Sequence, residues 1–238
     1  MSLWIKICGN TSYDDTLLAL DAGADAVGFV FAPSPRRVTE SEVAGITARL
    51  PASIEKIGVF VDSTWETMYE AVRLCGLTGV QLHSQTAPDL PARLHARLGP
   101  QLRVLRVVHF APGASSQAKA SAEDPHVDAV LIDSRTEYAV GGTGVTFDWT
   151  LARETLFQGV DAPKHLVVAG GLTPDNVAEA ITTLRPWGVD VATGVELHPG
   201  RKDPLKVRQF VQNARAATVN PKSHPERSAL QRSEGPAS

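Results

Sequence analysis

The chain has 238 residues, 43% apolar and 21% charged, which is enough for a sizeable core. That length exceeds the ~100–200 residues of most single domains but suits an α/β barrel, which takes ~250 as one unit. The formal net charge of −3 argues against electrostatic binding of nucleic acid or of an anionic membrane. No apolar run approaches the ~18–20 residues of a membrane span. The amino terminus lacks the basic-then-apolar pattern of a secretory leader. Cys8 and Cys75 cannot build a disulfide framework and lack metal-type spacing with histidine. The expectation from these features is a cytoplasmic chain of a reducing compartment, with no membrane and no nucleic-acid partner.

The first stretch, Trp4-Ile5-Lys6-Ile7-Cys8-Gly9, reads as a short strand ending on a thiol and a glycine. A helix is expected over 12–22, with Gly23 as its stop. Residues 25–31 are almost continuously apolar, as in a strand covered on both faces. The loop Ala32-Pro33-Ser34-Pro35-Arg36-Arg37 leads to a helix over 39–50. Strands follow at 54–61, 79–83 and 101–110, separated by helices at 63–74 and 88–98. A short helix at 116–122 precedes the sixth strand, 129–133, which ends on Asp133. A long loop over 134–148 carries Gly141-Gly142-Thr143-Gly144, of a length suited to a lid. A helix at 149–157 and a seventh strand at 165–170 come next. Thr173 reads as a cap with Pro174 in the first helical position. The eighth strand spans 188–193, and Asp203-Pro204 opens a last helix running to 216.

Eight apolar strands alternating with helices mean parallel strands joined by right-handed crossovers. No G-x-G-x-x-G follows the first strand and no Walker-type loop occurs, which weakens an open doubly wound sheet. The expectation is a single-domain eight-stranded parallel (β/α)8 TIM barrel over 1–217. Residues 218–238, polar and rich in Pro and Ser, are expected to form a disordered tail outside the chemistry.

In such a barrel the working residues sit at the carboxyl ends of strands. Strand alternation places Cys8 and Lys6 on the inner face, with Asp190 inward on the neighbouring eighth strand, so Lys6 and Asp190 are expected to pair as a structural couple. A lone cysteine in an apolar strand is commonly a small buried hydrophobe, but its place at a strand end before glycine also suits a nucleophile or base. Asp133 either lies at the barrel mouth or caps a backbone group, because an unpaired buried carboxylate is costly. His83 ends the fourth strand with Gln81 beneath it and has no assigned role. Lys164 and His165 are expected at the opposite end. Gly170-Gly171 and Thr193-Gly194 fall after strands seven and eight, where phosphate-handling barrels present backbone N–H groups, so a phosphorylated small molecule is the expected ligand.

The motifs KICG, GFVFAPSPRRV, GVFV, VQLH, LIDS…GGTG…FDW, AGGLTPDNV and DVATGVE…PG-x-KD together resemble phosphoribosylanthranilate isomerase, from about residue 5 to 210 and in that family's order. The resemblance implies a (β/α)8 barrel and an Amadori rearrangement in tryptophan biosynthesis, with no cofactor or metal; the sequence leaves monomer and homodimer both open. It puts the general acid on Asp133, the general base on Cys8 and the partner of the anthranilate carboxylate on Arg36, with Arg37 as the lesser candidate. The phosphate region falls on Gly170, Gly171, Thr193 and Gly194. A free carboxyl is mostly ionised and a free thiol mostly protonated at neutral pH, so these roles ask the site to favour the protonated acid and the ionised thiol. Lys6 is one source of the latter. Many family members carry serine at Ala192 and glycine at Ser84; neither departure touches the acid–base pair. Indole-glycerol-phosphate synthase chemistry would want a strand-end lysine. A related histidine-pathway isomerase uses two aspartates where this chain has Cys8 and Asp133. A non-catalytic binding barrel would not need both groups.

Overall fold

The computed structural model describes residues 2–83, 87–109, 113–133 and 165–219. The expected helix at 149–157, the glycine loop at 141–144, Ser84, Lys164 and the tail from residue 220 onward lie outside the described residues.

Eight parallel strands close into a ring in sequence order: β1 Trp4–Ile7, β2 Ala26–Val30, β3 Glu55–Val61, β4 Gly79–His83, β5 Arg103–His109, β6 Ala129–Asp133, β7 Leu166–Ala169 and β8 Gly188–Val191. Closure is made by β1 pairing with β8, in a register that sets Lys6 opposite Asp190. The helices among the described residues are α1 Tyr13–Asp21, α2 Glu40–Thr47, α3 Trp65–Cys75, α4 Leu90–Leu98, α5 Ala114–Glu123, α6 Val177–Leu184 and α7 Pro204–Val219. Most expected elements are present with ends shifted by at most three residues; several are shorter, β4 and β6 keep their expected bounds, and α5 and α7 are longer than expected. Ser12 caps α1 by accepting a hydrogen bond from the Asp15 backbone N–H, and Asp14 and Asp15 sit in the positive first turn. Thr39 and Glu42 form a reciprocal capping box on α2.

Two expectations need correction. Helix α6 begins at Val177, not at Pro174. Asn176 Oδ1 accepts from the Thr173 backbone N–H at 2.8 Å, and its Nδ2 donates to the Gly171 carbonyl at 3.0 Å. That closed polar turn takes up Thr173 and Pro174 and leaves Asn176, with ψ of −9°, at the helix start. The eighth strand ends at Val191 and gives way to a 3-10 turn, Thr193–Val195. An unexpected antiparallel hairpin follows, β9 Glu196–His198 with β10 Arg201–Lys202. Its Pro199-Gly200 corner uses the positive φ of +83° at Gly200.

The core lies in two shells. Trp4, Ala26, Ile57, Leu105, Leu131 and Val167 pack inside the ring, while Ile5, Val27, Phe29, Val104 and Val189 face the helices. This is the alternation a parallel barrel requires. The amino end of the ring is plugged by Trp4 stacked on Trp187 and by Trp187 stacked on His165. His165 is therefore at the end opposite the strand carboxyl termini, as expected.

Above the apolar layers, the interior carries a charged one. Lys6, fully buried, donates from Nζ to Asp190 Oδ1 at 3.0 Å and to Gln81 Oε1 at 2.8 Å. Burial lowers the pKa of this ammonium, but the charge of Asp190 and interactions with Cys8 outweigh burial and hold it above the ordinary value. Lys6→Met leaves a buried carboxylate without its counter-ion and is expected to cost about 3–5 kcal/mol in urea denaturation. Lys6→Met/Asp190→Asn should recover part of that loss. A double variant no more stable than Lys6→Met would show that the ion pair does not fix this layer.

Candidate active site

Several strands deliver side chains to the carboxyl-end mouth. Cys8 follows β1, His83 ends β4, and His109 and Asp133 end β5 and β6 in directly paired register. Gly170-Gly171 and Thr193-Gly194 follow β7 and β8, and Arg36 stands in the loop after β2. Cys8, Arg36, His83, Asp133, Gly170, Gly171, Thr193 and Gly194 thus lie at one end of the barrel. Arg36 is partly buried and Arg37 is exposed.

Cys8 is 6% exposed. A Cβ placed on Gly28 of β2 would lie 2.7 Å from Cys8 Sγ and 3.0 Å from Lys6 Cε, so the absent side chain leaves the space in which thiol and lysine meet. Burial pushes the Cys8 thiol up. Lys6 and Lys202 pull it down and Asp190 adds to the rise; the net result is a thiol above its ordinary value. This differs from the ionised thiol that the base role asks for. The reason is that burial costs the thiolate more than the two ammonium groups return.

Sequence reasoning missed how Cys8 and Arg36 are held. Lys202, on β10, is fully buried and donates from Nζ to the Cys8 carbonyl at 2.5 Å, to the Ala192 carbonyl at 3.4 Å and to Glu196 Oε1 at 3.1 Å. Glu196, on β9, accepts from Arg36 Nε at 2.8 Å and from Arg36 Nη2 at 2.6 Å. Burial raises the Glu196 carboxyl, yet the Arg36 hydrogen bonds and Lys202 together hold it below the usual range. Burial depresses the Lys202 ammonium, and Glu196 and Cys8 only partly offset this. Gly9 makes room for the arginine: its φ is +73°, and a Cβ there would meet Arg36 Cδ at 2.7 Å. The sequence signal for the hairpin was the Pro199-Gly200 pair flanked by Glu196 and Lys202, two charges close behind a strand end.

Beneath the mouth, Lys6 also sets the state of His83. Its ammonium has no acceptor, so the Gln81 oxygen must face it and the Gln81 amide nitrogen must face His83. His83 Nε2, 3.1 Å from Gln81 Nε2, therefore accepts, and its proton sits on Nδ1. Burial lowers the His83 pKa to about 4, with Asp133 opposing and His109 assisting, so the imidazole is neutral at neutral pH. Across the mouth the two glycine loops touch. A Cβ on Gly194 would overlap the Leu172 carbonyl oxygen at 1.8 Å, so backbone packs on backbone there. Gly170 and Gly171 both have positive φ, at 84° and 62°, and Thr193 is exposed beside them. Among the described residues no cluster of His, Cys, Asp and Glu could hold a metal ion, and no helix is long and apolar enough to cross a membrane.

A buried thiol flanked by ammonium groups, a carboxyl across the mouth, an oriented guanidinium and two glycine loops can move protons on an anionic small molecule. Comparison with known proteins agrees. Residues 5–213 match the family described as N-(5'-phosphoribosyl)anthranilate (PRA) isomerase. The protein of that name from Trichlorobacter lovleyi is 42% identical over 214 residues, 90% of this chain and 98% of its own. The crystal structure of the Thermotoga maritima phosphoribosylanthranilate isomerase superposes with a TM-score of 0.77 at 34% identity, covering 90% of this chain and 99% of that one. A phosphoribosylanthranilate isomerase in complex with reduced 1-(o-carboxyphenylamino)-1-deoxyribulose 5-phosphate gives 0.74 at 32% identity, with the same coverage.

The raised thiol has a measurable consequence. Alkylation of Cys8 by iodoacetamide, followed by mass spectrometry of its peptide, should be slow at neutral pH. It should still be accelerating above the ordinary thiol value of about 8.5. A rate that is already maximal at pH 7 would contradict the balance in favour of burial.

Proposed function

The chain belongs to the phosphoribosylanthranilate isomerase family, and we propose that its barrel mouth performs the isomerisation by general acid–base catalysis between Asp133 and Cys8. The family reaction converts N-(5-phospho-β-D-ribosyl)anthranilate to 1-(2-carboxyphenylamino)-1-deoxy-D-ribulose 5-phosphate in tryptophan biosynthesis. The observation that carries the assignment is the Cys8 thiol, buried between Lys6 and the Lys202 tie at the same mouth as Asp133.

In the first step the Asp133 carboxyl gives its proton to the ribose ring oxygen. The C1–oxygen bond breaks as the anilino nitrogen pushes its lone pair toward C1, leaving an open-chain iminium. In the second step Cys8, as the thiolate left when its thiol proton passes to solvent, takes the proton from C2. The C–H electron pair becomes the C1–C2 double bond, and the nitrogen recovers its lone pair. The resulting enolamine becomes the ketone when the C2 hydroxyl loses a proton and C1 gains one. Only protons move, so the chemistry calls for no cofactor or metal. The iminium is itself an acidifying group beside C2, so the small ionised fraction of a thiol that is mostly protonated at rest serves as the base. Arg36 holds the anthranilate carboxylate, and the touching loops at Gly170, Gly171, Thr193 and Gly194 hold the phosphate through backbone N–H groups.

The proposal places all of this in residues 1–217, acting in the cytoplasm as a monomer or homodimer on a phosphorylated small molecule, and gives residues 218–238 no part. Cys8→Ser and Asp133→Asn should each lower kcat by about 10²–10⁴-fold with a much smaller change in KM. Arg36→Ala should raise KM most. Full kcat in either of the first two variants removes the acid–base assignment. An unchanged KM in Arg36→Ala removes the carboxylate contact.

A further inference from the structure

We infer that Glu196 and Lys202, on the hairpin behind β8, are positioning residues that set recognition of the aromatic carboxylate by fixing which edge of Arg36 faces the substrate. The inference rests on the reading of Arg36 given above and goes beyond it to the groups that orient it.

A guanidinium carries five N–H donors in one plane, arranged as two usable forks. Glu196 occupies one fork completely, taking Nε at 2.8 Å and Nη2 at 2.6 Å. The fork that remains is the distal one, made of Nη1 and the second Nη2 hydrogen. A carboxylate can then meet Arg36 bidentately only end-on and in the plane that Glu196 dictates. The arginine stem has little freedom to turn away, because it passes over Gly9 where even a methyl group would stand 2.7 Å from Cδ.

Charge explains why Lys202 belongs to the same device. Arg36 and Glu196 alone form a neutral pair, which attracts an anion poorly. Lys202 shares the Glu196 Oε1 that accepts from Arg36 Nε, at 3.1 Å, and restores one net positive charge to the cluster. Lys202 also donates to the Cys8 carbonyl at 2.5 Å, so the hairpin ties the carboxylate fork directly to the end of β1 that carries the proposed base. Thr11 Oγ1 donates to the Gly200 carbonyl at 2.6 Å, and Arg201 lies 3.2 Å from Asp15. These contacts anchor the hairpin to the turn and helix that follow β1. The distance from carboxylate to reacting carbon is thereby set by one rigid unit.

The test compares two substrates, the phosphoribosylated anthranilate and the phosphoribosylated aniline that lacks the carboxylate. The quantity read is the ratio of their kcat/KM values. Glu196→Gln and Lys202→Met are each expected to lower that ratio by about 10- to 100-fold, mainly through KM for the carboxylated substrate. In an Arg36→Ala background, Glu196→Gln should lower it no further. Circular dichroism melts accompany each variant, and Glu196→Gln, which keeps shape and one acceptor, decides the matter if Lys202→Met does not fold. If Arg36→Ala leaves the ratio intact, the carboxylate reading of Arg36 fails and this inference with it. If Arg36→Ala collapses the ratio while Glu196→Gln retains it, the inference alone is overturned. An equal additional loss in the Arg36→Ala background would also overturn it, since the hairpin would then act by another route.

Discussion

Two ammonium groups buried without exposure, Lys6 below Cys8 and Lys202 behind it, constrain the rest of this structure. A charge taken out of water must be matched by charges and dipoles of the protein, or the site unfolds or the group discharges. Matching Lys6 requires Asp190 from β8 and Gln81 from β4, which joins opposite sides of the ring through its interior. Matching Lys202 requires Glu196 and the carbonyls of Cys8 and Ala192, which joins the hairpin to the ends of β1 and β8. The barrel mouth is thus held in shape by electrostatic necessity as well as by the apolar layers beneath it.

The same constraint shapes the chemistry. Each ammonium favours the Cys8 thiolate, but the burial that makes them effective also penalises that thiolate, and burial prevails in the free protein. The resting state is a protonated thiol in contact with the means to ionise it. On the proposed mechanism the missing drive comes from substrate, since ring opening creates a cationic imine next to the proton that Cys8 must take. His83 fits this arrangement as a neutral imidazole. Lys6 fixes its tautomer through Gln81, and burial keeps its pKa at about 4, so it adds no positive charge that would compete with the iminium.

Much of the fold was readable from local pattern. Gly79–His83 and Ala129–Asp133 fall where the apolar runs begin and end, because glycine or a polar residue bounds each run. Strand alternation placed Lys6 against Asp190 once ring closure was assumed, and the register bears it out. The start of α6 was misplaced because Thr173 and Pro174 carry a helix-start signature that the Asn176 side chain diverts into a separate turn. That Cys8 and Asp133 stand at strand ends was legible from position, whereas the roles given to them came from the family resemblance. Glu196, Lys202, Gly9 and Gly28 were not, because their meaning lies in partners far along the chain. Arg36 and Glu196 are 160 residues apart, and Cys8 and Lys202 are 194 apart. Nothing in the spacing of single residues reveals that a side chain will pass over Gly9 or that a thiol will fill the space at Gly28.

The most direct test of the central claim, that Cys8 and Asp133 flank the reacting carbons, is a crystal structure of this chain with the reduced product analogue bound. The account predicts Cys8 Sγ within about 3–3.5 Å of C2, the Asp133 carboxyl at hydrogen-bonding distance from the oxygen that closed the ribose ring, and the aromatic carboxylate on the distal fork of Arg36. An analogue seated with its phosphate in the glycine loops but with C2 turned to His83, beyond reach of Cys8, would contradict it.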